Sequence, residues 1–381
     1  MHDFPLLKNI TYLDSAATTQ TPVQVVQAMA DYYEHYRSNT HRGLYALSER
    51  ATEAYERTRT DVASLLGKHP EEIIFTQSTT YALNMLSFML EKLLTKKDTI
   101  LISEMEHHSN YLPWKRLCER TGARLEVIPL TDNGLLDQGA IEELLPSAKI
   151  LALTQASNVL GTTNPGSIFE KARQQGTITV LDAAQSLPHL LTAKADFIAC
   201  SAHKMLGPTG VGVLAGKKDL LETLDPPFVG GGMVANVKPE QWMELPLKFE
   251  AGTQNIAGVI GWGEAIAYLR KHRDLLERKD KEITAHFLAH KPDYLELYGP
   301  TTAKNRLPIF SFNLQGIHCH DVASMLAQNG ICVRAGHHCA IPIMRRYKTQ
   351  GMVRASAHLY NTTQDIDALF KSIERIRKRF A

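Results

Sequence analysis

The sequence lacks the features that mark several broad classes of protein. Its apolar stretches, such as residues 82–94, are interrupted by polar residues and fall well short of the roughly 20 apolar residues that a membrane span needs. Residues 1–8 have neither the basic nor the apolar stretch of a secretory signal. The formal net charge is only +2, and no basic tail or stripe indicates binding to nucleic acid or a membrane surface. These absences predict a soluble, cytoplasmic protein.

Cysteine is scarce and does not form a framework. The five cysteines are an odd number scattered along the chain, which is typical of free thiols in a reducing compartment. Two short clusters combine histidine with cysteine, at residues 318–320 and 337–339, but neither has the paired Cys-x-x-Cys spacing of a zinc site. We therefore predict no metal centre.

The order of apolar segments predicts the fold class. With 381 residues, the chain is long enough for about two domains. Short apolar strands alternate with amphipathic segments of helical length, which is typical of a mainly parallel, doubly wound α/β sheet. These strands are predicted at residues 73–76, 99–103, 125–130, 150–154, 178–182, 197–201 and 212–215.

The pattern changes near residue 258 and predicts a second, smaller α+β domain. Helical segments at residues 258–282 and 365–380 flank strand-like runs at residues 309–314, 331–334 and 352–355. A cleft between two such domains is a usual place for a ligand.

Lys204 follows the predicted strand 197–201 and is the clearest sign of chemistry in the sequence. A lone lysine is usually exposed and without a special role. However, Asp182 ends the preceding strand, and the carboxyl ends of parallel strands meet at the edge of the sheet where ligands bind. An amine that can form a Schiff base and a carboxylate for a pyridinium nitrogen are what pyridoxal phosphate requires. The two residues together therefore predict a pyridoxal-phosphate site.

Other strand ends also carry polar side chains. Thr79 and Thr80 follow strand 73–76 and open a helical run, so they are placed either to bind an anion or to belong to an ordinary helix cap. His107 and His108 follow strand 99–103. Because adjacent residues of an extended chain point to opposite sides, at most one of these two histidines faces the cleft.

Two residues of the C-terminal part indicate a reaction. Cys339 lies in the segment from Arg334 to Ala340, where Gly336 permits a bend and the basic residues favour a thiolate, although a buried structural cysteine is the alternative. Arg354 is a candidate for binding a carboxylate through two parallel hydrogen bonds, and a surface salt bridge is its alternative.

Taken in order, these motifs resemble the class V, fold-type I pyridoxal-phosphate enzymes. Within that group they resemble the SUF-type (group II) cysteine desulfurases and the related selenocysteine lyases. The motifs that carry the resemblance are residues 12–18, 41–43, 78–80, 106–110, 157–161, 182–185, 201–208, 249–253, 334–340 and 354–356. The resemblance implies a large cofactor domain of residues 15–257. It also implies a small domain of residues 1–14 and 258–381 that carries the cysteine.

The resemblance also implies roles for individual residues. Lys204 is expected to form the Schiff base, Asp182 to keep the ring protonated, and His107 to stack on the ring and relay protons. The residues expected to hold the ring and the phosphate are Gln185, Asn158, Thr79, Thr80, Ser201 and His203. Thr253 is expected to join this site from the other subunit, so a homodimer is implied. His108 is assigned to a supporting or solvent-facing position.

The implied reaction is desulfuration of L-cysteine. Arg354 would bind the substrate carboxylate, with Asn158 nearby, and Arg334 would hold substrate or shape the cysteine loop. Lys204 would remove the α-proton. The Cys339 thiolate would attack the substrate sulfur, which leaves a persulfide and releases alanine. An acceptor protein of the SUF type would then take the sulfur for iron–sulfur cluster assembly or another sulfur transfer.

Other activities stay open at this point. A selenocysteine lyase shares every motif, and a class V aminotransferase or lyase would leave Cys339 incidental. A cofactor-free sulfur carrier is disfavoured by the joint presence of Lys204, Asp182 and Gln185. Two features depart from the family: Tyr81 stands where bacterial SUF-type enzymes commonly have a glutamate at the dimer interface, and the segment 232–249 is short.

Overall fold

The structure is a computed structural model that describes residues 3–380. Its strands are β1 (Thr11–Tyr12), β2 (Ile73–Thr76), β3 (Thr99–Ser103), β4 (Arg124–Ile128), β5 (Ala148–Thr154), β6 (Ile178–Asp182), β7 (Phe197–Ser201), β8 (Gly212–Gly216), β9 (Val234–Val237), β10 (Glu240–Trp242), β11 (Leu295–Tyr298), β12 (Ile309–Leu314), β13 (Ile331–Cys332), β14 (Arg334–Gly336) and β15 (Met352–Ser356). Its α-helices are α1 (Val23–His35), α2 (Ala46–Leu66), α3 (Thr79–Met89), α4 (Leu112–Thr121), α5 (Gln138–Leu144), α6 (Ser167–Gln174), α7 (Lys218–Thr223), α8 (Ile256–Lys271), α9 (Arg273–His290), α10 (Cys319–Gln328), α11 (Ile341–Arg346) and α12 (Thr363–Phe380).

The large domain is built on a seven-stranded sheet in the order β2-β8-β7-β6-β5-β3-β4. Strands β3 to β7 are parallel to their neighbours within that group, whereas β8 is antiparallel to both β2 and β7. Because the direction reverses twice, β2 points the same way as β7. The carboxyl ends of β2, β3, β5, β6 and β7 therefore meet at one edge of the sheet.

The central strands are buried on both faces, which explains their nearly continuous apolar sequence. In β5, Leu151 and Leu153 pack into one core with α1, α2 and α8, whereas Ile150 and Ala152 pack into another with α3 and α4. Side chains alternate between the two faces because a strand has a period of two residues. This arrangement confirms the predicted doubly wound, mainly parallel α/β fold.

The small domain has a four-stranded antiparallel sheet in the order β11-β12-β15-β14, with helices α9, α10 and α12 on one face. Phe310 and Phe312 of β12 pack against those helices. The residue between them, Ser311, pairs with Arg354 of β15, and its hydroxyl donates to the carbonyl of Val159 in the large domain at 2.6 Å. Because side chains alternate between the two faces along β12 and β15, Arg354 points towards the large domain.

The expected domain boundary after residue 257 stays a prediction, and the packing of α8 and α9 bears on it. Helix α8 packs against α1 and α2 and belongs to the large-domain core. The single helical segment expected at residues 258–282 consists of two helices that meet at His272. Leu276 of α9 still packs in the large core, whereas Ile283 packs in the small core. The change of pattern near residue 258 therefore coincides with the start of two long helices, of which α8 packs in the large core and α9 packs in both cores.

The strand expected at residues 331–334 is also divided. Its first part, β13, pairs with β1, whereas β14 pairs with β15. No helix among residues 3–380 combines the length and the apolar character that crossing a membrane requires.

Candidate active site

Lys204 and Asp182 line one cavity at the carboxyl edge of the large sheet, which we call the Lys204 cavity. Asp182 is the last residue of β6, and Lys204 ends the single helical turn that follows the neighbouring strand β7. Thr79, His107 and Gln185 line the same cavity. Burial lowers the pKa of Lys204 to about 8, although the negative charge of Asp182 opposes that shift. Roughly a tenth of the amine is therefore neutral, and so nucleophilic, at pH 7.

The carboxylate of Asp182 lies in the same buried environment. Its Oδ1 accepts a hydrogen bond from the amide of Ala184 at 2.9 Å. Burial raises the pKa of Asp182, while that hydrogen bond and the charge of Lys204 oppose the shift. A cationic partner within the cavity would keep this carboxylate ionised. Gln185, also buried, donates from Nε2 to the carbonyl of Ala16 at 2.7 Å.

The N-terminus of α3 brings hydroxyl groups to the cavity. Ser78 caps the helix by accepting from the amide of Tyr81 at 3.2 Å. Thr79 donates from its amide to Ser201 Oγ and bonds that oxygen again through its own hydroxyl, both at 2.7 Å. The segment is therefore a helix cap, and it also presents hydroxyls to the cavity. Thr80 and His203 complete this lining.

A single helical turn, His108–Asn110, begins at the second of the two adjacent histidines, and His107 caps it. His107 lines the Lys204 cavity, and its Nδ1 accepts from the amide of Ser109 at 3.1 Å. Burial and the nearby charge of Lys204 lower the pKa of His107 to about 3, so the ring is neutral at physiological pH. His108 lies on the other side of the turn and contacts the segment that carries Cys339.

Glu106 is a buried residue whose role could not be predicted from the sequence. Its Oε2 accepts from Asn110 Nδ2 at 2.6 Å and from the amide of Thr154 at 2.9 Å. These bonds tie the segment after β3 to the end of β5, directly before His107. Burial raises the pKa of Glu106 to about 8, although hydrogen bonds from Ser103, Asn110 and the amide of Thr154 oppose the shift. We expect a substantial fraction of this carboxyl to carry a proton near neutral pH.

Cys339 lies on the segment 336–341, which we call the Cys339 loop. Its side chain is exposed, in contrast to the buried structural cysteine that was the alternative. Gly336 has a φ of +122°, and His338 and Cys339 have φ values of +50° and +55°. Asn158 Nδ2 donates to the carbonyl of His338 at 2.8 Å, so Asn158 joins the wall of the Lys204 cavity to the loop.

Arg354 and Arg334 meet at a carboxylate that the sequence did not single out. Arg354 is 2% exposed, and it donates to Asp14 Oδ1 at 3.2 Å and to the carbonyl of Asn158 at 3.0 Å. Its Nε has no acceptor among residues 3–380. Arg334 is more exposed and donates from Nε and Nη2 to Asp14 Oδ2 at 3.1 and 3.0 Å. Asp14 thus positions both guanidinium groups, and Arg354 is not the surface salt bridge considered above.

Thr253 lies apart from the Lys204 cavity. It is exposed and lines a different cavity together with Gln77 and Tyr81. Its expected role in the site of another subunit stays a prediction. The ring of Tyr81 lies 5.5 Å from that of Phe228, and the short segment 232–249 contains the β9–β10 hairpin.

Known proteins of a single family are similar to this chain over almost its whole length. A family model described as aminotransferase class-V matches residues 11–369. A Streptomyces coelicolor protein named probable cysteine desulfurase is 42% identical over 99% of this chain and 96% of its own length. The apo structure of a cysteine desulfurase from Thermococcus onnurineus has a TM-score of 0.94 and 38% identity, covering 99% of this chain and 96% of that one. The Escherichia coli cysteine desulfurase CsdA, in an S-sulfonic acid form, has a TM-score of 0.89 and 34% identity, covering 99% and 97%.

Proposed function

Because the chain belongs to the class-V aminotransferase family, we propose that it is a pyridoxal-phosphate-dependent cysteine desulfurase. The proposed reaction converts L-cysteine to L-alanine and leaves the sulfur as a persulfide on Cys339. The observation that carries the proposal is the position of Cys339. An exposed thiol lies on a loop that is hydrogen-bonded to Asn158, a residue of the cavity that contains the buried amine of Lys204.

The residues of the Lys204 cavity fit pyridoxal phosphate. They combine an amine of lowered pKa, a buried carboxylate and a group of hydroxyls at the N-terminus of α3, where an anion is favoured. Lys204 would hold the cofactor covalently, Asp182 would pair with its ring nitrogen, and Gln185 would donate to its phenolic oxygen. Thr79, Thr80, Ser201 and His203 would bind the phosphate. When bound, the cofactor supplies an electron sink that acidifies the α-carbon of an amino acid.

The remaining residues would bind and orient the substrate. Arg354 would take the carboxylate of L-cysteine, because its buried Nε has no acceptor within residues 3–380. Arg334 would hold Asp14, and through it the orientation of Arg354. The freed amine of Lys204 would remove the α-proton. Neutral His107 would cover the ring without adding a positive charge next to Lys204.

The proposed sulfur transfer needs no external oxidant. The bond between Cβ and Sγ of L-cysteine breaks, and its electron pair stays on carbon, which takes up a proton and becomes the methyl group of alanine. The Cys339 thiolate forms a new bond to the departing sulfur, so the sulfur is oxidised as the carbon is reduced. The product on the enzyme is a persulfide.

The exposure of Cys339 favours delivery of that sulfur to another molecule. A thiol of an acceptor protein would attack the outer sulfur of the persulfide and restore the Cys339 thiolate. We further propose a SUF-type acceptor and a homodimer in which Thr253 contributes to the cofactor phosphate of the other subunit. A dimer would also cover the exposed Phe228 and Val229 beside Tyr81.

The test is the release of alanine and sulfide from L-cysteine, with a reductant, by the pyridoxal-loaded protein. We expect equimolar products from the wild type and from Cys332→Ala, and loss of both products in Cys339→Ala. Cys332 is a suitable control because it is half-buried on β13, outside the Cys339 loop.

Three results would contradict the proposal. Product release that is unaffected in Cys339→Ala would indicate a lyase. Much faster turnover of L-selenocysteine with Cys339 dispensable would indicate a selenocysteine lyase. Absence of cysteine turnover together with amino transfer to a keto acid would indicate an aminotransferase.

A further inference from the structure

The segment His107–Asn110 lies between the Lys204 cavity and the Cys339 loop. On one side of it, His107 lines the Lys204 cavity, and the hydroxyl of Ser109 bonds that of Thr80 at 2.7 Å. On the other side, His108 contacts the Cys339 loop. Adjacent residues of this segment therefore contact the Lys204 cavity and the Cys339 loop.

His108 makes two hydrogen bonds to the backbone directly after the Cα atom of Cys339. Its backbone N–H donates to the carbonyl of Cys339 at 2.7 Å. The amide of Ile341, two residues further along, donates to the Nε2 atom of the His108 ring at 3.2 Å. Ile341 is the first residue of α11, and Ala340 before it supplies no side-chain cap. His108 therefore satisfies one of the amide groups that the start of a helix leaves free.

The second of these bonds requires a neutral His108. Since Nε2 accepts the hydrogen bond, the ring proton lies on Nδ1. Burial lowers the pKa of His108, and the ring of His337, with its centroid 5.9 Å away, acts in the same direction. The accepting form of His108 therefore prevails at neutral pH.

The loop needs contacts of this kind because of its backbone. His338 and Cys339 both have positive φ, a conformation that costs free energy in residues other than glycine and persists only when the surrounding structure imposes it. His338 is held by Asn158 Nδ2 at its carbonyl and donates from Nε2 to the carbonyl of Met352 at 2.9 Å. His108 provides the corresponding contacts for Cys339 and Ile341.

We propose that His108 is a positioning residue that holds the backbone directly after Cys339, at the carbonyl of Cys339 and the amide of Ile341, and leaves Sγ free to meet the substrate sulfur. This inference rests on the proposed function, because it assigns His108 to the sulfur transfer alone. His108 does not line the Lys204 cavity, so we expect cofactor binding and substrate docking to change little when its ring is replaced. A reacting atom that is misplaced by about 1 Å can lose roughly 100-fold in rate, so a loop that carries a nucleophile needs such anchors.

Three substitutions of His108 separate the accepting atom from the bulk of the ring. Glutamine places an uncharged oxygen near the position of Nε2, whereas asparagine places one near Nδ1 and alanine has neither. In the holoenzyme we expect His108→Ala and His108→Asn to lower kcat for alanine release about tenfold, the usual effect of losing one hydrogen bond of about 1.4 kcal/mol. KM for cysteine and the cofactor absorbance should stay within about twofold, and His108→Gln should stay within about threefold of the wild-type kcat.

Hydrogen exchange of the holoenzyme gives a readout that does not depend on turnover. The amides of residues 339–344 should exchange faster in His108→Ala and His108→Asn, and at the wild-type rate in His108→Gln. A kcat that is equal in all variants, or a glutamine variant no better than asparagine by either readout, would overturn the proposal. If His108→Ala does not fold, the glutamine and asparagine variants decide alone. A wild type without cysteine turnover would refute the proposed function and with it the positioning role, whereas the exchange pattern would still report the contact itself.

Discussion

The floor of the Lys204 cavity, by which we mean Lys204, Asp182 and the strands that carry them, holds its functional groups differently from the Cys339 loop. Asp182 ends the buried strand β6 and Lys204 follows the neighbouring strand β7, and the register of these strands pairs Asp182 with Ala199. Cys339 is exposed on a loop with positive φ at consecutive residues, held by hydrogen bonds from other parts of the chain. The geometry of the floor is set by backbone hydrogen bonds between paired strands, whereas the geometry of the loop is set by bonds to individual side chains.

The difference matches the chemistry proposed for each group. An amine must be partly desolvated to be neutral near pH 7, and burial lowers the pKa of Lys204 accordingly. A thiol that passes sulfur to another molecule must stay accessible. We therefore expect substitutions in the floor to affect reactivity itself, and substitutions in the loop to affect how well the thiol is placed.

The largest effect is expected from the floor. Lys204→Ala should lower alanine release by about 10⁴-fold or more, because it removes both the covalent attachment of the cofactor and the general base. The melting temperature of the cofactor-free protein should not fall, since burying a lysine carries a desolvation cost. Steady-state alanine assays and thermal unfolding of both proteins test this, and a variant with more than about 1% of wild-type turnover would contradict the assigned role.

The two regions also contain thiols that should differ widely in reactivity. Burial raises the pKa of Cys200, on β7, to about 12, whereas Cys339 is exposed. At pH 8 we expect iodoacetamide to alkylate Cys339 about 10³-fold faster than Cys200, because the thiolate is the reactive form and Cys200 is also shielded. Peptide mass spectrometry over a time course measures both rates in the same sample. Similar rates would show that the loop hides its thiol.

The pH dependence of cofactor loading tests the amine of the floor. Only the neutral amine reacts with an aldehyde, and the pKa of Lys204 is lowered to about 8, so the loading rate of the apoprotein should rise about tenfold from pH 7 to pH 9 and then level off. Below pH 8 the amine is protonated and the rate should fall. Stopped-flow absorbance follows the reaction.

Asp182→Asn provides the matched variant for that experiment. The charge of Asp182 raises the pKa of Lys204, so its removal should shift the midpoint of the loading profile to lower pH. A wild-type midpoint near 10 would mean that the amine is solvated like an ordinary lysine.

The smallest effect is expected from the backbone of the loop. Gly336 has a φ of +122°, and an added Cβ would have His320 Nε2 as its nearest neighbour, at 3.6 Å, without a clash. Gly336→Ala should therefore act by backbone strain alone, lowering kcat roughly fivefold to tenfold for a strain of about 1 kcal/mol with little change in melting temperature. Gly176→Ala, at a φ of +80° and with open space around it, is the control that should leave kcat unchanged. Equal losses in both variants would argue against a special role for the loop backbone.

Much of the fold could be predicted from local sequence. Strands β2, β3, β6, β7 and β12 begin and end as expected, because each is a short apolar run bounded by polar residues. The prediction that Lys204 lies near Asp182 followed from the rule that parallel strands end at one edge. The sequence did not show which core α8 packs in, because an apolar helix has the same pattern of residues in either core.

The contacts that complete the site are of another kind. Asp14 joins Arg334 and Arg354, and the ring of His108 meets the amide of Ile341, across 320, 340 and 233 positions of the chain. Neither Asp14 nor His108 differs by type or spacing from an ordinary polar residue. Glu106, which bonds the amide of Thr154 beneath His107, is a third example.

The sequence by itself therefore determined the α/β fold, the amine and carboxylate at the sheet edge, and the cysteine of a polar loop, because each depends on residue type and on local hydrophobic periodicity. Only the tertiary structure decided that α8 packs in the core of the large sheet, that Asp14 holds both arginines, and that His108 contacts the backbone directly after Cys339. These features depend on distances between residues far apart in the chain, which are set by how the two domains pack and not by any local pattern.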